Sequence, residues 1–133
     1  MRFSLESKGT VLAATIAALL TGTGAGEAAE AGDAAKGAEA YRDMCGICHN
    51  AERGAGIKVG PNLFGVMGSK SAAAPGFFYS PAMKQANLTW NEVTMRAFLA
   101  APAKIVPGTT MGFLGIVDRD DETNLMAYLN TLK

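Results

Sequence analysis

Both cysteines and the only histidine of this 133-residue chain fall within five consecutive positions, Cys45-Gly-Ile-Cys-His49. Thiol and imidazole chemistry is therefore confined to one place, and the chain has nothing of the kind to set opposite it. If these side chains hold something, the rest of the polypeptide has to fold around that one point. At a helix end, residues i, i+3 and i+4 share a face, so Cys45, Cys48 and His49 point the same way.

Four chemistries compete for such a cluster. A disulfide between Cys45 and Cys48 closes a very small loop and stabilises little. A thioredoxin-like redox pair calls for a βαβ context, which the pattern lacks. A structural zinc site needs four protein ligands, and only three are present. C-x-x-C-H is the attachment signature of c-type haem, in which the two thiols form thioethers to one porphyrin edge and the histidine is carried under the iron as an axial ligand. That ligand is normally oriented by an acceptor for its other ring N–H.

The N-terminus reads as a targeting segment. Arg2 and Lys8 precede an uncharged apolar run over Thr10–Leu20, and Ala29-Glu30-Ala31 has the A-x-A form of a cleavage site, with Gly26-x-Ala28 as a competing one. Residues 1–31 are thus expected to be a signal peptide and 32–133 the functional domain. The uncharged run Gly9–Gly26 also reaches the low end of a membrane span, so an uncleaved anchor is the alternative. Without Arg2 and Lys8, and without Glu6, Glu27 and Glu30, the exported part keeps ten basic and nine acidic residues. A net charge of +1 gives no footing for nucleic acid. Export also places the cysteines where they can be oxidised or modified.

Within 32–133 the apolar spacing predicts three main helices. The first starts at Asp33 as N-cap, with Ala34, Ala38, Tyr41 and Cys45 along one stripe and Gly37 on the same side. Asn50–Pro75 is rich in glycine and reads as loop. A short helix is expected after Ser80, with Pro81 at its first position. Thr89-Trp-Asn-Glu92 has the form of a capping box opening a helix that Pro102 stops. Pro107-Gly108 predicts a turn, and the stretch through Gly112 and Gly115 is irregular. The last helix opens on Asp120, Asp121 and Glu122 and carries Leu125, Tyr128, Leu129 and Leu132 at helical spacing. No stretch alternates as a strand, so the class is all-α. Three short helices make a thin core, and Leu63, Phe64, Phe77, Phe78, Phe113 and Leu114 lie in loops. A large flat apolar cofactor would give these loops something to pack on.

With His49 on one side of the iron, methionine is the available soft donor for the other. Of seven methionines, Met1 leaves with the signal and Met44 adjoins Cys45. Met95 and Met126 fall in helices, where packing is the default role. Met67, Met83 and Met111 lie in loop-like context and stay open, with Met111 favoured because Pro107-Gly-Thr-Thr and Gly112 let the chain bend there.

The ordered motifs Gly37-Ala-Glu-Ala-Tyr41, Cys45-Gly-Ile-Cys-His49, Gly60-Pro-Asn-Leu63, Ala74-Pro-Gly-Phe77 with Tyr79, Thr89-Trp90, Val106-Pro-Gly-Thr-Thr-Met111 and Leu125-Met-Ala-Tyr128 resemble those of class I cytochromes c, in the mitochondrial and related bacterial branch. The resemblance covers residues 32–133. It implies a single-domain cytochrome c fold with three main helices and long loops wrapped around one haem c. By position, Cys45 and Cys48 would carry the haem through two thioethers, and His49 and Met111 would ligate the iron. The Pro61 carbonyl would orient His49. Tyr79, Trp90 and Thr109 would hydrogen-bond the propionates. Gly37 and Tyr41 would cross Leu125 and Tyr128.

The function so implied is a monomeric periplasmic electron carrier rather than an enzyme. Its donor would be a quinol–cytochrome c oxidoreductase or a periplasmic dehydrogenase, and its acceptor an oxidase, a peroxidase or a reaction centre. Rival readings are a membrane-anchored carrier and a haem enzyme or gas sensor with a labile distal ligand. This chain departs from the family pattern at Ser69, where arginine is common near the propionates, and at Phe98 and Met83, where tyrosine and asparagine are frequent. Thr110, Ala103 and Glu39 stand where lysines usually ring the haem edge, although Lys104 remains. Steering toward an acidic partner should be weaker for it.

Overall fold

The computed structural model describes residues 31–133. The targeting reading of residues 1–31 therefore lies, except for Ala31, outside the described residues. The described residues form five helices: α1 (Ala34–Met44), α2 (Pro81–Gln85), α3 (Glu92–Ala100), α4 (Pro102–Ile105) and α5 (Arg119–Leu129). Among the described residues the only β pairing is the isolated bridge between Lys70 and Thr89. No helix among them is long and apolar enough to cross a membrane.

Local chemistry accounts for most helix ends. Asp33 caps α1 by accepting from the Ala35 and Lys36 amides, and Ser80 caps α2 with Pro81 at its first position. Asp118 caps α5, whose first turn carries Asp120, Asp121 and Glu122 against the positive end of the helix dipole. Two sequence expectations shift. The capping box opening α3 is formed by Asn91 and Thr94, each side chain accepting from the other's amide, and not by Thr89 and Glu92. The reason is tertiary: Trp90 is buried and its amide donates to the Ser69 carbonyl at 2.9 Å, which keeps residues 89–90 extended and delays the helix. Pro102 also does more than stop α3. It starts the single-turn α4 at a position where the missing N–H costs nothing.

The α1–α5 crossing is the principal helix–helix contact. A Cβ on Gly37 would come within 2.6 Å of the Asn124 carbonyl carbon and 2.8 Å of the Tyr128 Cβ, so only glycine permits this approach. One turn on, the Tyr41 and Tyr128 rings meet with centroids 5.2 Å apart. On the inner face of α5, Leu125, Met126 and Leu129 are fully or almost fully buried. Each such side chain contributes about 1.5–3 kcal/mol on leaving water. Leu132, expected as the last turn of this stripe, lies past the helix end but is still buried, and its carbonyl accepts from Gly65.

The loops are organised by alternation rather than by helices. In the extended stretch after Pro75, Phe77 and Tyr79 turn inward and meet edge-on at 4.8 Å, while Phe78 between them is 94% exposed. Phe113 likewise faces in and Leu114 faces out. Phe78 and Leu114, expected to pack inward, are thus on the surface, because neighbouring residues of an extended chain point to opposite sides.

Candidate haem site

Between these elements lies a cavity of about 1040 Å³. That is at the upper end of the ~300–1,000 Å³ common for small-molecule sites. Its wall draws on α1, α2, α3, α5 and the loops between them. The apolar part includes Leu63, Phe77, Phe98, Leu99, Leu125 and Leu129.

One end of the wall is built from the cysteine–histidine segment. α1 ends at Met44, and the Cys48 and His49 amides donate back to the Cys45 carbonyl, so the chain stays coiled through the motif. Cys45, Cys48 and His49 all line the cavity, and the two cysteines are not joined to each other in a disulfide. Burial, with neighbouring Cys48, pushes the Cys45 thiol up to about 11 before any thioether forms.

The imidazole is fixed from several sides. His49 Nδ1 lies 2.7 Å from the Pro61 carbonyl oxygen. Because a carbonyl only accepts, Nδ1 carries the proton and Nε2 keeps its lone pair. Burial lowers the His49 pKa, outweighing the opposing bond to Pro61, and the Lys58 charge lowers it further. The ring is therefore a neutral donor at neutral pH. Behind it, Gly60 leaves no room for a side chain: an added Cβ would collide with the ring edge, 2.7 Å from Nδ1. Gly60 is itself held by its amide's bond to the Cys48 carbonyl, and the His49 carbonyl accepts from the Tyr41 hydroxyl, both at 2.7 Å. Lys58 Nζ donates to the Gly46 carbonyl at 2.6 Å, tying the same loop from outside.

The remaining sequence-selected residues line the same cavity. Tyr79 accepts from the Ala74 amide at 3.2 Å, which leaves its own O–H to donate. Thr109 accepts from the Met111 amide at 3.2 Å and likewise keeps its hydroxyl proton. Trp90 packs against Phe98 at 5.0 Å, and its buried side chain lines the cavity. Met111 lines the wall on an irregular segment following the Pro107-Gly108 turn. Of the methionines left open, Met67 does not line the cavity. Met83 does, but from α2 rather than a loop, and the buried Met95 of α3 reaches it too.

Sequence reasoning missed Gly60 as the ring's backstop and Lys70 as a wall residue. Adjacency to Pro61 was the available signal for the first; nothing local marked the second. Among the described residues no three His, Cys, Asp or Glu side chains converge as metal ligands. A site needing only one imidazole, a thioether and two thiols for attachment is a different matter, and the residues present fit a haem.

The cytochrome c family model matches residues 34–133. The chain belongs to the cytochrome c family. It is 45% identical over 101 residues to a cytochrome c of Chlamydomonas reinhardtii, covering 76% of this chain and 90% of that relative. It is 43% identical over 101 residues to a cytochrome c2 of Rhodomicrobium vannielii, covering 76% and 80%. Among solved structures it is similar to cytochrome cH from Methylobacterium extorquens, with TM-score 0.70 and 44% identity over 75% of this chain and 99% of that one. As a family member the chain is a single-domain, monohaem electron carrier with one covalently attached haem c, and not an enzyme.

Proposed function

We propose that this cytochrome c is a periplasmic carrier whose haem is bound by Cys45 and Cys48 and ligated by His49 and Met111. The observation that carries the reading is the His49–Pro61–Gly60 arrangement: a neutral imidazole, proton on Nδ1, bare Nε2, set in the cavity wall beside both thiols. When bound, the haem supplies the one-electron Fe(II)/Fe(III) couple, and a Met/His ligand pair places its potential high. The chain's contribution is to hold the imidazole in one orientation, to keep the wall apolar, and to offer Tyr79, Trp90 and Thr109 as donors for the propionates.

Support for Met111 over Met83 and Met95 is conformational. The latter two are buried on helices, whereas Met111 is half-buried in a segment whose backbone is held by Thr109. The periplasm follows from the signal-like N-terminus. Donors would be a quinol–cytochrome c oxidoreductase or a periplasmic dehydrogenase; acceptors would be an oxidase, a peroxidase or a reaction centre. Brief, weak contacts suit such a carrier.

The test is spectroscopic. The purified protein should carry haem that acid–acetone does not extract, and the ferric form should show the weak red charge-transfer band of methionine–iron ligation. A wild-type ferric spectrum without that band overturns the His/Met assignment. N-terminal sequencing after export should begin near Gly32, and an intact Met1 overturns the cleavage reading.

A further inference from the structure

Among the described residues lining the cavity, Lys70 is the single lysine, arginine, aspartate or glutamate. Its neighbourhood is fixed by the backbone: it forms the β-bridge with Thr89, and the flanking Ser69 carbonyl accepts from the Trp90 amide at 2.9 Å. Lys70 therefore sits beside the stretch that presents the Trp90 indole. Ser69, the adjacent wall residue, donates its hydroxyl to the Val66 carbonyl at 2.7 Å. Asn62 spends both amide protons on the Glu52 and Ala55 carbonyls. Lys70 has no carboxylate partner among the described residues, whose ion pairs are Arg42–Asp43, Arg96–Glu92 and Arg96–Glu122.

A cavity with one cation, no fixed anion among the described residues, and the Tyr79 and Thr109 hydroxyls still able to donate is electrostatically prepared for an anionic guest. Moving a carboxylate from water into apolar surroundings is costly unless it is paired and hydrogen-bonded. We propose that Lys70 is the cation that pairs with the haem carboxylates, doing from one position along the chain what Ser69 has no charge to do. This rests on the reading that those carboxylates lie against Tyr79, Trp90 and Thr109. Lys70 is solvent-exposed, so the pair sits at the wall and is partly screened. Its consequence is a tuned potential: a cation near the haem favours the reduced form, which carries one positive charge fewer.

The measurement is the midpoint potential at fixed pH and low ionic strength for wild type, Lys70→Gln, Lys70→Arg and Lys104→Gln. Lys104, the cation retained at the haem-edge positions, is exposed and outside the cavity wall, and reports the effect of a nearby surface charge acting through solvent. Lys70→Gln should lower the midpoint clearly more than Lys104→Gln, and Lys70→Arg should hold it near wild type. A Lys70→Gln shift no larger than that of Lys104→Gln, in proteins with normal haem spectra, overturns the Lys70 assignment alone. A wild-type protein lacking covalent haem overturns the haem-site reading, and this proposal with it.

Discussion

His49 Nδ1 and the Pro61 carbonyl oxygen stand 2.7 Å apart, with Gly60 between them in sequence and its Cα against the imidazole edge. One tight loop thus sets both the tautomer and the position of the ring. Orientation comes from the acceptor at residue 61, and position from the missing side chain at residue 60.

Gly60→Ala should be the more damaging change in this loop. The new methyl must displace the imidazole or the loop backbone, and forced overpacking of this kind costs about 1–3 kcal/mol. Denaturant unfolding of the haem-loaded protein should show that loss, accompanied by a changed midpoint potential. An unchanged spectrum, potential and stability would mean the ring is not held from this side.

Met111→Ala should lower the reduction potential and let ferrous protein bind carbon monoxide. Met67→Ala should do neither, because Met67 does not line the cavity. Carbon monoxide difference spectra on the two variants, with Met83→Ala as a third, separate the candidates. Carbon monoxide binding in Met83→Ala but not Met111→Ala would reverse the ligand assignment.

Gly37→Ala tests the helix crossing apart from the haem. The added Cβ meets the Asn124 backbone, which cannot give way as a flexible side chain would. Unfolding free energy should fall by about 1–3 kcal/mol, while the visible spectrum stays that of wild type. Loss of the methionine–iron band instead would show that the α1–α5 contact also sets the haem ligation.

Replacing Cys45 and Cys48 together by alanine should abolish covalent haem and with it cooperative unfolding. Phe77, Phe98, Leu99 and Leu125 face a cavity of about 1040 Å³, and without the cofactor their inner surfaces lose their partner. Near-ultraviolet circular dichroism and a thermal melt read this out. A sharp, wild-type-like melt of the double variant would contradict it.

Tyr41 links stability to alkaline pH. Burial, reinforced by neighbouring Tyr128, raises its pKa from 10.0 to about 12. The folded state therefore holds this proton more tightly than the unfolded state. Its stabilising contribution is complete below pH 10 and is lost as pH rises through 12. Tyr41→Phe should flatten that decline. It should also cost about 1 kcal/mol at neutral pH through loss of the hydrogen bond to the His49 carbonyl.

Features carried by local chemistry were readable in advance: the caps at Asp33 and Ser80, the turn at Pro107-Gly108 and the clustered cysteines and histidine. Each depends on residues a few positions apart. The α3 cap was misplaced because Trp90 obeys a partner twenty-one positions back, at Ser69. The inward and outward faces of Phe77 and Phe78 were likewise invisible, since a loop has no period until something packs against it.

By itself the sequence determined the attachment chemistry, the all-α class and the helix stripes, because spacing along one chain decides which side chains share a helix face. Tertiary structure alone decided that Gly60 abuts the imidazole, that Met111 lines the same cavity as His49 and that, among the described residues, Lys70 is the charge on the cavity wall. Those relationships join segments distant in sequence, and the three-dimensional fold that brings them together is organised around one apolar cavity.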